Sequence, residues 1–280
     1  MAQLDTIGRD TIGRGTIGRD AIGRAALFIA CTPVLVFLLL PSLVIIPMAL
    51  TKGQMLQFPP IWISVHSFTD YLGDPQWLDS TVLSFQVAAL AVAIGCITGS
   101  AAAVALHGRH FPGKGLVTGA IMAPIVIPLV VFALGGYLVF ARLHMAGGWV
   151  AIGLLHGMLV TPYVFISVQT SLLAALNPLL VRSARSLGAG RFSVLRHVIW
   201  PAIRPGVLAG GLLGFAVSFD EVVVALFLQG PQAVTLPVRM YAAIQFELTP
   251  KVAASASLFL VLSVLVLLAQ SVVLRRRVAA

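Results

Sequence analysis

Long apolar runs separated by short polar segments dominate the pattern of this chain. A membrane-spanning helix needs about 20 mainly apolar residues at about 1.5 Å per residue, and six runs reach that length. We therefore predict an all-α membrane protein with six transmembrane helices, at about residues 25–50, 81–106, 115–141, 149–172, 206–228 and 252–274. The first run is longer than the apolar core of a signal peptide, which has about 7–15 residues, so we expect a retained helix.

The composition agrees with a protein that lies mostly in a bilayer. Hydrophobic residues make up 59% of the 280 residues and charged residues 10%, whereas soluble domains are about 45–50% apolar and about 25% charged. The two cysteines, Cys31 and Cys96, lie in apolar runs without a metal-ligand spacing. We expect both to act as small hydrophobic residues, and we predict no metal site.

The basic residues predict the orientation of the chain. Cytoplasmic loops of membrane proteins carry an excess of Lys and Arg, and 14 of the 18 basic residues fall on one side if the N-terminus is cytoplasmic. The other side then holds Lys52, Arg142, Arg239 and Lys251. Both termini are therefore predicted to be cytoplasmic. This distribution also accounts for the net charge of +9, so we expect no nucleic-acid partner.

The N-terminus repeats a basic five-residue unit. Residues 6–25 contain four copies of the pattern Thr/Ala-Ile-Gly-Arg followed by one variable residue. A period of five matches neither a helix nor a strand, which favours a flexible tail close to anionic lipid headgroups. A partner-binding motif is the alternative. The chain thus divides into a tail at 1–24 and a transmembrane domain at 25–280.

A basic cytoplasmic segment, at about residues 177–205, interrupts the apolar pattern. Asn177 and Pro178 suit the start of a helix, and Gly188 suits its end. Leu180, Ala184 and Leu187 lie on one face of that helix. The segment therefore predicts a short amphipathic helix whose apolar face packs either on its own bundle or on a docked protein.

A second short helix is predicted after the glycine. Phe192, Leu195 and Val198 keep helical spacing. Pro201 and Pro205 are predicted to end this helix and to return the chain to the membrane. Two short helices joined by a glycine turn would then face the cytoplasm.

This segment resembles the "EAA" loop of permease subunits of binding-protein-dependent ABC importers. The family pattern is Glu-Ala-Ala-x-x-x-Gly, with a hydrophobic residue and Pro about a dozen residues further on. Ala184, Gly188 and Pro201 match it, whereas Arg182 and Ser183 stand where the family has Glu and the first Ala. The resemblance assigns the contact with the ATPase to Arg182, Ser183, Ala184, Arg185, Leu187, Gly188, Ala189 and Pro201.

The resemblance implies a type I importer permease fold in the cell inner membrane and a set of partners. These are cytoplasmic ABC ATPase subunits, a second homologous permease subunit and an extracytoplasmic solute-binding protein. The chain has no Gly-x-x-x-x-Gly-Lys-Ser/Thr loop for phosphate. We therefore expect no cofactor here, ATP on the partner ATPase, and a transport subunit that is not itself an enzyme.

Two acidic residues lie inside the fifth apolar run. Asp220 and Glu221 are adjacent, and one of them would face lipid in a regular helix because neighbouring positions point about 100° apart. Structural pairing with Arg239, Arg142 or a neighbouring helix is one interpretation. The other is that Ser218, Asp220 and Glu221 line a pathway that favours a cationic solute.

The stretch from Ser218 through Asp220 and Glu221, with the later Thr235-Leu-Pro run, is similar to the spermidine/putrescine branch of these permeases. The resemblance implies import of a polyamine by alternating access. Iron, thiamine, phosphonate, opine-like and amino compounds are alternative solutes. An ion-coupled secondary transporter and a channel are the alternative classes, but the apolar runs show neither two convincing repeated halves nor a filter.

Overall fold

A computed structural model describes residues 28–53, 56–246 and 249–278 of the chain. The predicted tail at 1–24 lies outside these residues. The described part contains the helices α1 Phe28–Ala49, α2 His66–Gly73, α3 Pro75–Leu106, α4 Lys114–Val126, α5 Leu129–Arg142, α6 Trp149–Ala175, α7 Pro178–Ser186, α8 Arg191–Val194, α9 Trp200–Phe219, α10 Val223–Leu228, α11 Leu236–Phe246 and α12 Pro250–Val278, with a π-helical turn at Leu195–Ile199. The all-α fold class is confirmed.

Four continuous helices are long and apolar enough to cross a membrane, among the residues that the structure describes. They are α1, α3, α6 and the helix Arg191–Phe219 that α8, the π turn and α9 form together. The bent pair of α4 and α5 adds a fifth candidate. Helix α12 has 29 residues, and its first part, Pro250–Val266, is apolar. The total of six spans and the cytoplasmic termini stay predictions.

The predicted single helix at 115–141 is wrong, because the chain bends by 102° between α4 and α5. Ile127 has an extended backbone, with ψ at 133°, and Pro128 follows it. A proline disfavours the helical conformation of the residue before it. The apolar run continues through this point, which is why hydropathy alone does not reveal the break.

The predicted end of the second loop helix before Pro201 is also wrong. The chain runs without a break from Arg191 to Phe219, and the Trp200 amide donates to the Leu195 carbonyl across the π turn. Pro201 lies in the first turn of α9, where a proline is tolerated, and Pro205 lies inside the helix. The predicted span at 206–228 therefore begins earlier and stops at Phe219.

Helix α6 is the centre of the bundle and packs between α3 and α9. Its core residues Ile152, Val160 and Val168 are fully buried. Glycines allow the close approach on both sides: a Cβ at Gly99 would lie 2.7 Å from the Thr161 carbonyl oxygen, and a Cβ at Gly210 would lie 2.8 Å from Val164 Cα. The three helices therefore form a tightly packed unit.

A salt bridge joins helices at the end of the bundle that is predicted to face outside. Lys251 Nζ at the start of α12 donates to Asp74 Oδ2 at 2.8 Å. Asp74 also caps α3, because its Oδ1 accepts from the Gln76 amide at 3.0 Å. The hydrogen bond from Lys251 lowers the pKa of the Asp74 carboxyl, although partial burial opposes this shift.

We expect this salt bridge to make stability depend on pH in the acidic range. A carboxyl whose pKa is lower in the folded state stabilises the fold above its unfolded pKa of 3.8 and loses this effect as pH falls through the folded value. The melting temperature of wild type should exceed that of Asp74→Asn at pH 7, and the difference should shrink below pH 4. Asp79→Asn, at an exposed position of α3, is the control. A difference that grows on acidification would contradict the prediction.

Candidate functional site

The predicted acidic pair lies at a break between two helices. Helix α9 ends at Phe219, and α10 begins at Val223. The Phe219 ring is buried and stacks on Phe215 at 5.4 Å and on Phe259 of α12 at 5.3 Å between ring centroids. These contacts fix the last turn of α9. Asp220 and Glu221 therefore occupy irregular backbone rather than adjacent positions of one helix.

The Glu221 carboxylate caps α10. Its Oε1 accepts from the Val223 amide at 2.7 Å, and its Oε2 accepts from the Val224 amide at 2.8 Å and the Ala225 amide at 3.2 Å. Free amide groups and the positive end of the helix dipole favour a carboxylate at this position. The Glu221 side chain is buried, so these bonds replace the water that it loses.

His156 of α6 contacts both sides of the helix break. It is 1% exposed. Its Nδ1 lies 2.9 Å from Ser218 Oγ, and its Nε2 lies 3.1 Å from Glu221 Oε2. The motifs and apolar runs of the sequence do not single out this residue. The available signal was one histidine in the middle of the apolar run at 149–172.

The structure separates the three predicted pathway residues into two environments. Ser218 and Glu221 are buried and bonded as described, whereas Asp220 is exposed. Among the described residues, the Asp220 carboxylate has no hydrogen bond or ion pair. Arg239, a partner considered from the sequence, donates instead to Ser80 Oγ at 2.6 Å and Gln76 Oε1 at 2.9 Å. Asp220 is therefore the one of the two acids whose carboxylate is exposed and unbonded within the described residues.

A cavity of about 710 Å³ opens near the predicted outer end of the bundle. It lies between α2, α3, α11 and α12, and its polar lining includes Asp70, Asp74, Arg239 and Lys251. Asp70 also lies 3.4 Å from His66 Nε2. Both signs of charge therefore meet in this cavity, and it does not contain Asp220.

The first loop helix has the predicted ends. The Leu179 amide donates to Asn177 Oδ1 at 2.9 Å, which caps the start of α7. At the other end, Gly188 has φ at +84°, and the Ala189 amide donates to the Ala184 carbonyl at 3.0 Å. Left-handed backbone of this kind favours glycine. Both local predictions, Asn177 as N-cap and Gly188 as terminator, are confirmed.

Three large apolar side chains of the loop are left exposed by this chain. Leu180 is 55% exposed, Leu187 88% and Phe192 73%. These three side chains therefore do not pack on the chain's own bundle, whereas Val194 is buried and Ile199 packs against the core of the bundle. The exposed predicted contact residues are Arg182, Ser183, Arg185, Leu187, Gly188 and Pro201, and the half-buried ones are Ala184 and Ala189. They form, with Leu180 and Phe192, what we call the loop surface.

Similarity to solved structures supports the fold. The chain of a bacterial alginate ABC transporter, in complex with an alginate pentasaccharide-bound periplasmic protein, aligns with a TM-score of 0.69 at 16% identity, over 94% of this chain and 96% of that one. A chain of an amino acid ABC transporter aligns with a TM-score of 0.57 at 20% identity, over 77% of this chain and 100% of that one. At these identities the likeness concerns the fold alone, which is that of type I importer permeases.

Similarity to known sequences identifies the family. The chain is 31% identical over 218 residues to the spermidine/putrescine transport system permease protein PotC of Escherichia coli (strain K12), which covers 78% of this chain and 80% of PotC. It is 32% identical over 232 residues to the putrescine transport system permease protein PotI of the same organism, over 80% of this chain and 82% of PotI.

The molybdenum transport system permease protein ModB of Escherichia coli (strain K12) is 30% identical over 166 residues, or 54% of this chain and 70% of ModB. These relatives are permease subunits and not themselves enzymes. Residues 91–279 match the family described as binding-protein-dependent transport system inner membrane component. The chain therefore belongs to this family, which confirms the resemblance drawn from the loop at 182–201.

Proposed function

We propose that this chain is one permease subunit of an ATP-driven importer that moves a polyamine, such as putrescine or spermidine, into the cytoplasm by alternating access. The observation that carries the choice of solute is the exposed, unpaired carboxylate of Asp220 at the break between α9 and α10. A carboxylate attracts an ammonium group strongly where water is partly excluded. The names of PotC and PotI support the same class of solute.

The loop surface supports an ATPase as a partner of this chain. It combines exposed apolar side chains at Leu180, Leu187 and Phe192 with exposed Arg182 and Arg185. A docked protein that covers such a surface would bury apolar area and approach the arginines with acidic groups. A second permease subunit would complete the pathway, and a solute-binding protein would deliver solute from outside.

The continuous helix Arg191–Phe219 provides the connection between these two regions. Its 29 residues extend about 43 Å at 1.5 Å per residue. One end adjoins the loop surface, and the other end carries the break with Asp220. Movement of the loop by a docked ATPase would therefore displace the solute-facing end of the same helix, which is what alternating access requires.

Uptake of labelled putrescine and spermidine by the assembled importer tests this proposal. The importer should be purified by a tag on this chain, together with its ATPase, second permease and binding protein, and reconstituted in vesicles. We expect ATP-dependent accumulation of both polyamines. Accumulation driven by an ion gradient without ATP would contradict the importer class. ATP-dependent uptake of molybdate, with no uptake of polyamines, would contradict the solute.

Replacing Asp220 with asparagine should weaken transport of a cationic solute while the protein still folds. The carboxylate makes no bond within the described chain, so its loss removes attraction for the solute and little stability. We expect KM for putrescine to rise about tenfold, which corresponds to about 1.4 kcal/mol. Asp79→Asn is the control at another exposed carboxyl. Unchanged uptake kinetics for Asp220→Asn would remove Asp220 from the pathway.

A further inference from the structure

We propose that His156 is a positioning residue that holds the break between α9 and α10 and thereby sets the place of the Asp220 carboxylate. The inference rests on the proposed function for the role of Asp220, but its geometric part stands independently. His156 lies on α6, the buried central helix, and reaches Ser218 before the break and Glu221 after it. One imidazole ring therefore connects three helices.

The two contacts of the ring are mutually consistent. If the hydrogen of a neutral imidazole is on Nε2, this atom can interact favourably with the Glu221 carboxylate, and Nδ1 can accept from the Ser218 hydroxyl. The Nε2 contact is a close electrostatic one at 3.1 Å rather than an aligned hydrogen bond. At 1% exposure the ring makes both of these polar contacts within the protein rather than with bulk water.

Glu221 connects the His156 ring to the backbone at the start of α10. Its two oxygens already accept from the amides of Val223, Val224 and Ala225. A carboxylate bonded on one side to a helix start and held on the other side by a fixed ring has little rotational freedom. The start of α10 is thus held against α6.

Ser218 fixes the other side of the break. It is buried in the last turn of α9 and bonds to the same ring. Asp220 lies between the two anchored residues, with φ at −89° and ψ at −2°. Because the residues on both sides are held, the direction of the exposed Asp220 side chain is determined by a group that never contacts solute. His156 is too deeply buried to line the pathway itself.

The accessibility of position 220 tests the inference without reference to uptake. Asp220→Cys is introduced after Cys31→Ser and Cys96→Ala, and the assembled importer is treated with a membrane-impermeant methanethiosulfonate reagent. We expect His156→Leu to change the modification rate of the introduced thiol about tenfold, because the loss of two buried polar contacts frees the break. His156→Gln, which keeps a donor group at this position, should stay closer to the parent rate.

Val168→Ala is the control for general loosening of α6, since it removes buried volume from this helix at a position twelve residues from His156. A rate change with His156→Leu, together with little change for Val168→Ala, supports the inference. An unchanged rate in His156→Leu overturns it, and so does an equal change in both variants, because general loosening then explains the effect. If His156→Leu does not assemble, Ser218→Ala takes its place, and its modification rate is judged by the same criteria.

The same variants separate this inference from the proposed function. Normal putrescine kinetics in Asp220→Asn would contradict the role of Asp220 as a solute contact, whatever the modification rates. An unchanged thiol modification rate in His156→Leu would contradict the positioning role even if Asp220→Asn raises KM. If Asp220 contacts the solute and His156 positions it, His156→Leu with native Asp220 should raise KM for putrescine more than it lowers the maximal rate.

Discussion

A Gly188→Val variant is expected to reach the membrane in normal amount and to lose about tenfold or more of its ATP-driven uptake. Gly188 has φ at +84°, a conformation that costs a residue with a Cβ about 1–2 kcal/mol and a β-branched residue more. No neighbouring atom lies within 4 Å of a Cβ built there, so the backbone and not a steric clash opposes the change. The strained turn would tilt α7 and displace Leu187 and Arg185 from the ATPase.

Gly190→Val is the matched control for this prediction. Gly190 lies two residues further along the same exposed turn, has φ at −66° and also has open space around a Cβ. Valine there should leave uptake near the wild-type rate. Co-purification of the ATPase with each variant measures the docking step itself. Wild-type uptake by Gly188→Val, or equal losses in both variants, would argue against the assignment of the turn as part of the ATPase contact.

Replacing Glu221 with leucine is expected to prevent accumulation of the folded protein. The change leaves three amides at the start of α10 without an acceptor, and each buried, unsatisfied group costs about 1–3 kcal/mol. It also leaves the buried His156 without its carboxylate. Native stability is of the order of 5–15 kcal/mol, so a loss of several kcal/mol should greatly reduce the amount of protein and its melting temperature in detergent.

Glu221→Gln keeps a side-chain oxygen and should therefore retain much of this stability. Asp220→Asn, at the adjacent exposed carboxylate, should leave the melting temperature unchanged. The three variants together distinguish a cap from a solute contact, because only a cap affects stability in this order. A stable Glu221→Leu protein with impaired uptake would instead place Glu221 in the pathway, which is the second of the two interpretations drawn from the sequence.

Local chemistry made parts of this architecture predictable from the sequence. Asn177 and Gly188 predict the start and the end of α7 from contacts within about one helical turn, and the structure contains both caps. The apolar runs around α3 and α6 form continuous helices, and Pro162 within α6 does not end that helix. The family resemblance rested on a motif of the same local kind at Ala184, Gly188 and Pro201.

Prolines show why the remaining architecture was not predictable. A helix ends before Pro128 although the apolar run continues, whereas Pro201 lies within a helix. The residue before Pro128 is extended, and the residue before Pro201 is helical. Hydropathy does not report the backbone conformation of the residue before a proline. His156 was missed for another reason: Ser218 and Glu221 are more than 60 residues away in the sequence. Only the packing of α6 against α9 brings the three together.

The uninterrupted helix from Arg191 to Phe219 has a thermodynamic consequence. If ATPase docking at one end and solute contact at the other end bias the same rigid element, the two binding equilibria are linked. Linkage is reciprocal: any factor by which the docked motor changes affinity for the solute is also the factor by which the solute changes affinity for the motor. The solute outside would then act as an effector of a partner that it never touches.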